Sequence, residues 1–284
     1  MMESAEYQMI DIDRVLAEKN PRLKRLLPRF LLRLIKRILH QDEINDFIMR
    51  HRHLEGLPFV RAVLSDFQVT IRVVGQENLP EGGRFVVAAN HPLGGLDGLA
   101  LMQAVGDYRP DLVFPVNDLL LNIPNLRPLF LPVNKHGRNI NLSKMLDDTF
   151  SGSKALLYFP AGLCSRRQEG QVLDLEWKKT FVTKARQYQR DVVPVHIDGA
   201  NRSFFYNLAR FRVKLGIKAN IEMFFLPDEM FRQKGKVITI TFGKPVKWSS
   251  FTASRTDQQW AALLRELVYR LHNDADATLD TLLK

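Results

Sequence analysis

The chain of 284 residues holds a single cysteine, Cys164. No intramolecular disulfide is therefore possible, and a reducing compartment fits that usage. No uninterrupted apolar stretch approaches the ~18 to 20 residues needed to cross a bilayer, so any membrane contact is expected to be peripheral. The first residues, MMESAEYQMIDID, are acidic and lack the basic start and apolar core of a secretory signal. No set of His, Cys and carboxylates has metal-ligand spacing, no nucleic-acid reader motif is present, and no internal repeat or long linker divides the chain. Acidic residues are missing from one further place. Between Lys19 and Gln41 there are eight Lys or Arg and no Asp or Glu, so this segment supplies +8 of the formal net charge of +10. The remainder is close to neutral, which makes the charge a local attractor of anions.

What is present is ordinary for a globular chain: 45% hydrophobic and 25% charged residues, long enough for a substantial core. Leu23 to His40 places Leu27, Phe30, Leu31, Leu34, Ile35 and Ile38 at helical spacing on one side and Arg22, Arg25, Arg29, Arg33 and Lys36 on the other. Pro28 starts or kinks this helix, because it cannot donate inside one. A basic amphipathic helix of this kind either lies on an anionic membrane or docks on the protein with a solvated basic face. Residues 42–67 read as further helix punctuated at Gly56-Leu57-Pro58, and Phe67 to Val73 alternates as a half-buried strand. Further short strands are expected at 85–89, 112–116, 129–133, 155–159, 192–199 and 237–242. Helices are expected at 140–150, 178–189 and 260–272, with frayed last residues. Phe204, Phe205, Phe211 and Leu215, mixed with basic residues, form either a second lipid-facing element or ordinary packing.

The stretch from Phe85 to Leu101, FVVAANHPLGGLDGLAL, organises the rest. An apolar strand ends at Asn90-His91, Pro92 and Gly94-Gly95 make a turn, and Asp97 opens a helix-compatible run. An imidazole with an ordinary pKa near ~6.5 can accept a proton from an alcohol, and a neighbouring carboxylate can fix its tautomer. The same two residues could instead cap the helix and a loop.

Asn90-His91 followed by Asp97 at a strand end resembles the first block of the glycerolipid acyltransferase family, the lysophosphatidic acid acyltransferase-like proteins. That family separates His and Asp by four residues; here there are five. Lys135 and Arg138, after the strand ending at Val133, resemble the second block. Phe159, Pro160, Gly162 and Ser165 match a third block of the form Phe-Pro-Glu-Gly-Thr-Arg-Ser, with Ala161 and Cys164 at its Glu and Arg positions and Arg166 and Arg167 just beyond. Val192 to Gly199, with Pro194, resembles the fourth. Cys164 itself reads as a small buried apolar residue.

The resemblance implies an α/β lysophospholipid acyltransferase-like fold: a central mixed sheet flanked by helices, with residues 1–66 as an N-terminal helical, membrane-contacting region and 67–284 as the acyltransferase domain. It implies that His91 deprotonates a hydroxyl and Asp97 orients it, while Asn90, Lys135, Arg138, Gly162, Ser165, Arg166 and Arg167 bind substrate. The donor would be an acyl thioester on acyl carrier protein or coenzyme A, with no cofactor, metal or nucleic acid. The acceptor would be a lyso-lipid, with the altered third block favouring a lyso-aminolipid of the ornithine or glycine type. Alternatives are a 1-acylglycerol-3-phosphate acyltransferase and a non-catalytic membrane-binding protein. The expected location is cytoplasmic, peripheral on the inner face of a bacterial cell membrane.

Overall fold

A computed structural model of the chain describes residues 9–19, 21–116, 123–132 and 140–283. Lys135 and Arg138 lie outside the described residues. The N-terminal part is helical: α1 (Ile12–Lys19), α2 (Pro21–Leu26), α3 (Arg29–Ile38), α4 (Gln41–Arg50) and α5 (Leu57–Asp66). Pro28, expected to start or kink the helix over residues 23–40, starts it: at φ −61°, ψ 150° it precedes α3 and separates it from α2. Then follow β1 (Thr70–Val74), β2 (Phe85–Ala89), α6 (Gly95–Gly106), β3 (Leu112–Val116), β4 (Phe130–Pro132), α7 (Ile140–Ser151) and β5 (Ala155–Tyr158). The chain ends with β6 (Arg166–Gln168), β7 (Gln171–Leu173), α8 (Thr180–Gln187), β8 (Asp191–Ile197), α9 (Ser203–Lys214), α10 (Leu226–Phe231), β9 (Val237–Phe242), α11 (Asp257–Arg270) and α12 (Leu279–Leu283). The end of the chain, expected to fray, instead forms α12 and buries Leu279 against α11.

Among the described residues seven strands make one mixed sheet in the order β1-β9-β8-β2-β5-β3-β4, in which only the β8–β9 pair is antiparallel. β2 is buried along its whole length, the pattern of a strand covered on both faces. Phe47, Ile48, Phe59, Val60 and Leu64 of α4 and α5 share a core with Phe85, Val87, Leu101 and Ile240. The expected boundary between residues 66 and 67 thus falls inside a continuous core. At the amino ends of the central strands, the buried Arg190 guanidinium donates to the carbonyls of Thr149, Phe150 and Gly152 behind α7 and to those of Phe85 and Lys154. It closes the carbonyls that a helix end leaves unpaired and ties β2 to β5. Burial lowers its pKa to about 10, which still leaves it charged at neutral pH.

The connections leave β2 in opposite senses. From β2 the chain passes through α6 to β3, returns to β5 on that side, and later lays β8 against the other side. Such a reversal opens a crevice at the carboxyl ends of the strands, where ligands bind in open α/β sheets.

Candidate active site

Asn90 and His91 follow the end of β2 in that crevice. His91 Nδ1 lies 3.0 Å from both carboxylate oxygens of Asp97. Asp97 is fully buried at the third position of α6, and its Oδ2 also accepts the backbone N–H of Leu93 at 2.7 Å and of Gly94 at 3.2 Å. The carboxylate therefore caps α6 and grips the imidazole at once. Gly94 lies in the five-residue interval between His91 and Asp97. It adopts φ +84°, ψ −122°, a conformation L residues avoid, and a Cβ there would meet Leu226 at 3.1 Å and Cys164 Sγ at 3.3 Å.

The other face of the ring stacks on Phe159 from the end of β5, with centroids 4.1 Å apart and planes at 18°, and Phe114 meets Phe159 edge-on. The His91 side chain keeps 17% of its surface open, enough for a reactant to reach one ring edge. Burial disfavours the charged ring, but the Asp97 carboxylate, with Cys164 nearby, outweighs it and holds the His91 pKa well above its ordinary 6.5. With Nδ1 committed to Asp97, Nε2 is the nitrogen left to exchange a proton with a reactant.

A second buried carboxylate holds the backbone of this turn, and sequence reasoning missed it. Asp174 Oδ1 accepts the His91 N–H at 3.1 Å and the Ser165 hydroxyl at 2.6 Å, while Oδ2 accepts the Trp177 indole N–H at 2.8 Å. The Ser165 N–H in turn donates to the His91 carbonyl at 2.7 Å, which latches the loop after β5 to the loop after β2. Burial raises the Asp174 pKa against the lowering effect of these donors. Nothing local announces Asp174: it follows a short hairpin strand and lies 83 residues from His91.

The remaining expected site residues separate. Asn90, expected to bind substrate, is buried and gives both ends of its amide to Ile197 of β8, donating to its carbonyl at 2.9 Å and accepting its N–H at 2.7 Å. It is a strap between strands. Ser165 is likewise occupied by Asp174. Arg166, expected to hold a headgroup, is buried in the β6–β7 hairpin. It donates to Glu222 at 2.6 Å and to the Cys164 carbonyl at 2.7 Å, and Arg212 takes the other side of Glu222. Arg167 lies over the Tyr206 ring and reaches Ser203. Gly162 is exposed at φ +66°, and Lys178 Nζ comes within 3.5 Å of where its Cβ would sit. Cys164 is fully buried against Phe205 and Tyr206. His196 is buried beside His272, and burial lowers its pKa to about 4, so it is neutral at physiological pH. Among the described residues no group of three metal-binding side chains forms, and no helix is long and apolar enough to cross a membrane.

The chain matches, over residues 14–278, the family described as Acyltransferase. A protein named lyso-glycine lipid O-acyltransferase in Bacteroides thetaiotaomicron is 45% identical over 265 residues, 93% of this chain and 97% of the relative. Its namesake in Phocaeicola vulgatus is 44% identical over 265 residues, 93% of this chain and 95% of the relative. The crystal structure of the 1-acyl-sn-glycerophosphate (LPA) acyltransferase, PlsC, from Thermotoga maritima aligns with a TM-score of 0.48 and 16% identity, covering 84% of this chain and 95% of that one.

Proposed function

The chain belongs to the acyltransferase family, and from that premise we propose that it is an O-acyltransferase that esterifies the hydroxyl of a lyso-glycine lipid. The observation that carries the chemistry is the contact between His91 Nδ1 and the buried Asp97 carboxylate at the end of β2. The acceptor is carried by the names of the two relatives, each covered almost end to end.

In this reading the acceptor hydroxyl approaches the open edge of His91 and gives its proton to Nε2 as its oxygen attacks the thioester carbonyl. The tetrahedral adduct collapses, the carbon–sulfur bond breaks, and the departing thiolate takes the proton back from His91. Asp97 keeps the proton on Nδ1 and stabilises the imidazolium that forms. Proton and acyl group balance between the two substrates, and the protein ends unchanged. Asp174, through the His91 N–H and Ser165, holds the turn at the depth where this transfer occurs.

The donor is a fatty acyl thioester on acyl carrier protein or coenzyme A. The enzyme works as a peripheral protein on the inner face of the cell membrane, with α2 and α3 against anionic lipid: Leu26, Phe30 and Leu34 are exposed beside Arg25, Arg29 and Arg33. Cations outside the described residues, Lys135 and Arg138, with Lys178 above Gly162, are the candidates to meet the acceptor's carboxylate. Transfer assays with one donor and two acceptors test the proposal. Higher kcat/KM for lyso-glycine lipid than for lysophosphatidic acid is expected. The reverse preference would return the enzyme to phospholipid synthesis, and no transfer to either, with intact fold and vesicle binding, would leave a membrane-binding protein without this activity.

A further inference from the structure

The β6–β7 hairpin, α9 and the 3-10 turn Ile221–Phe225 form a rim beside the catalytic turn, and the outer side of that rim is unusual. α9 buries Phe205, Tyr206 and Ala209 inward, where Phe205 and Tyr206 pack on Cys164. On the opposite stripe Phe204, Phe211 and Leu215 recur at helical spacing and are 47%, 59% and 57% exposed. Phe225 meets Phe204 edge-on at 5.0 Å, and its neighbour Phe224 is 57% exposed on the adjoining turn. Water-facing aromatic and aliphatic groups at this density mark a binding surface in soluble folds.

The charges beside the stripe have one sign. Arg210, Lys214 and Lys218 are exposed, whereas the only acid between Ser203 and Phe225, Glu222, is fully buried between Arg166 and Arg212. A shallow depression of about 310 Å³ opens between Asn207, Arg210, Phe211 and Lys214, with two cations at its edge. Apolar side chains flanked by cations suit the boundary between acyl chains and anionic headgroups, where a purely ionic partner would leave four large apolar groups unused. The rim is also tied, through α10, to the segment that joins α3 and α4. His40, two residues past the end of α3 and just before α4, stacks on Phe231 of α10 at 3.9 Å and bonds Asp228 at 3.3 Å, and α10 runs on directly from the 3-10 turn.

We propose that the outer face of α9 and the turn at 221–225 is a second bilayer-docking surface, which seats the membrane against the rim of the active site. Only the thickness of one helix, about 10 Å, separates the exposed stripe from the side chains packed on Cys164 next to the His91 turn. A lipid acceptor then reaches His91 from the bilayer without passing through water. Vesicle binding is read without donor or acceptor, so this inference and the acyl-transfer reading fail separately.

The test uses the full chain and vesicles of equimolar phosphatidylcholine and phosphatidylglycerol. The variant Phe204→Ser, Phe211→Ser, Phe224→Ser is expected to bind about tenfold or more weakly at any salt concentration. The variant Arg210→Gln, Lys214→Gln, Lys218→Gln is expected to weaken only on anionic vesicles at low salt. Both are expected to keep wild-type turnover of a water-dispersed short-chain acceptor and to lose turnover of the same headgroup embedded in vesicles. Unchanged vesicle binding of both variants overturns the proposal. So does a loss confined to donor carried on acyl carrier protein and absent with coenzyme A, which would make the face a docking site for the acidic carrier.

Discussion

Replacing Asp97 by Asn removes one charge and almost no volume, and the structure says which hydrogen bonds survive. Oδ2 serves three donors, the N–H groups of Leu93 and Gly94 and the imidazole, while Oδ1 serves only His91. The amide oxygen takes the Oδ2 place, because the opposite orientation would aim an NH2 at two backbone donors at a cost of about 1 to 3 kcal/mol for each buried group left unpaired. The amide nitrogen then lies near 3.0 Å from His91 Nδ1 and donates to it in competition with the bond from Nδ1–H to the retained oxygen. His91 responds by moving its proton to Nε2, the nitrogen that has to accept one from the acceptor. General base catalysis worth about 10²- to 10⁴-fold is lost, or roughly 3 to 5 kcal/mol of barrier. Stability falls as well, by about 1 to 3 kcal/mol, since a charge-assisted cap inside the core becomes a neutral one. A turn pair judged from spacing alone would be expected to leave stability nearly unchanged; full burial of Asp97 is what changes the expectation.

The pH dependence sharpens the test. The base must be neutral, so kcat/KM of the wild type should climb as pH rises through the elevated His91 pKa. The Asn variant lacks the carboxylate that raises it, and its residual activity should climb at lower pH. Stability runs the other way. A histidine whose folded pKa exceeds its ordinary 6.5 contributes stabilisation that is fully present below 6.5 and is lost as pH rises through the folded value. The wild type should therefore lose denaturant resistance over the interval in which activity appears, and the variant should show neither trend there. Thioester consumption and urea midpoints across a pH series measure both. Wild-type turnover in the Asn variant, or superimposable pH limbs, would refute the reasoning.

Gly94→Ala should cost about 1 to 3 kcal/mol and reduce kcat by displacing Asp97 from Nδ1, because φ +84° and contacts at 3.1 and 3.3 Å both oppose a methyl group. Gly95→Ala is its control: the new Cβ would meet only Met230 Sδ at 3.7 Å, so stability should stay within about 1 kcal/mol, as thermal unfolding of the two variants will report. Replacing Arg25, Arg29 and Arg33 by Gln should weaken binding to anionic vesicles by up to about 1 kcal/mol per charge, with high salt mimicking the change. Lys36 is left out of that set since it already pairs with Asp13 at 2.5 Å, and equal vesicle affinity at low salt would argue against docking through these helices.

The strands were legible in the sequence because each is a short apolar run closed by turn residues, and Phe85 to Ala89 and Leu112 to Val116 lie where that pattern puts them. The β6–β7 hairpin was not, since Arg-Arg-Gln and Gln-Val-Leu have no apolar alternation to announce a strand. Their pairing follows from Arg166 folding inward onto Glu222, a partner 56 residues away. The same nonlocal bond gives Arg166 a partner that its local sequence does not show. Arg166 was read as a headgroup contact because it lies just beyond the third-block position held by Cys164, and only the tertiary structure shows Glu222 beside it. The partner of Asn90 is more distant still, because its amide pairs with Ile197, 107 residues on.

His91 and Asp97 were legible because their encounter is local, six residues apart, and needs only a turn that the glycines advertise. Five residues separate them, where the family pattern has four. Gly94 turns the backbone at φ +84°, ψ −122°, so α6 begins at Gly95 and Asp97 arrives at the third helical position with its carboxylate facing back to His91. At that position a carboxylate meets the free N–H groups of the helix start, so the bonds that cap α6 also fix the side chain that orients His91. Helix initiation and imidazole positioning are therefore one set of contacts. A substitution that spares the proton chemistry but disturbs the cap, such as one at Gly94, should damage both together.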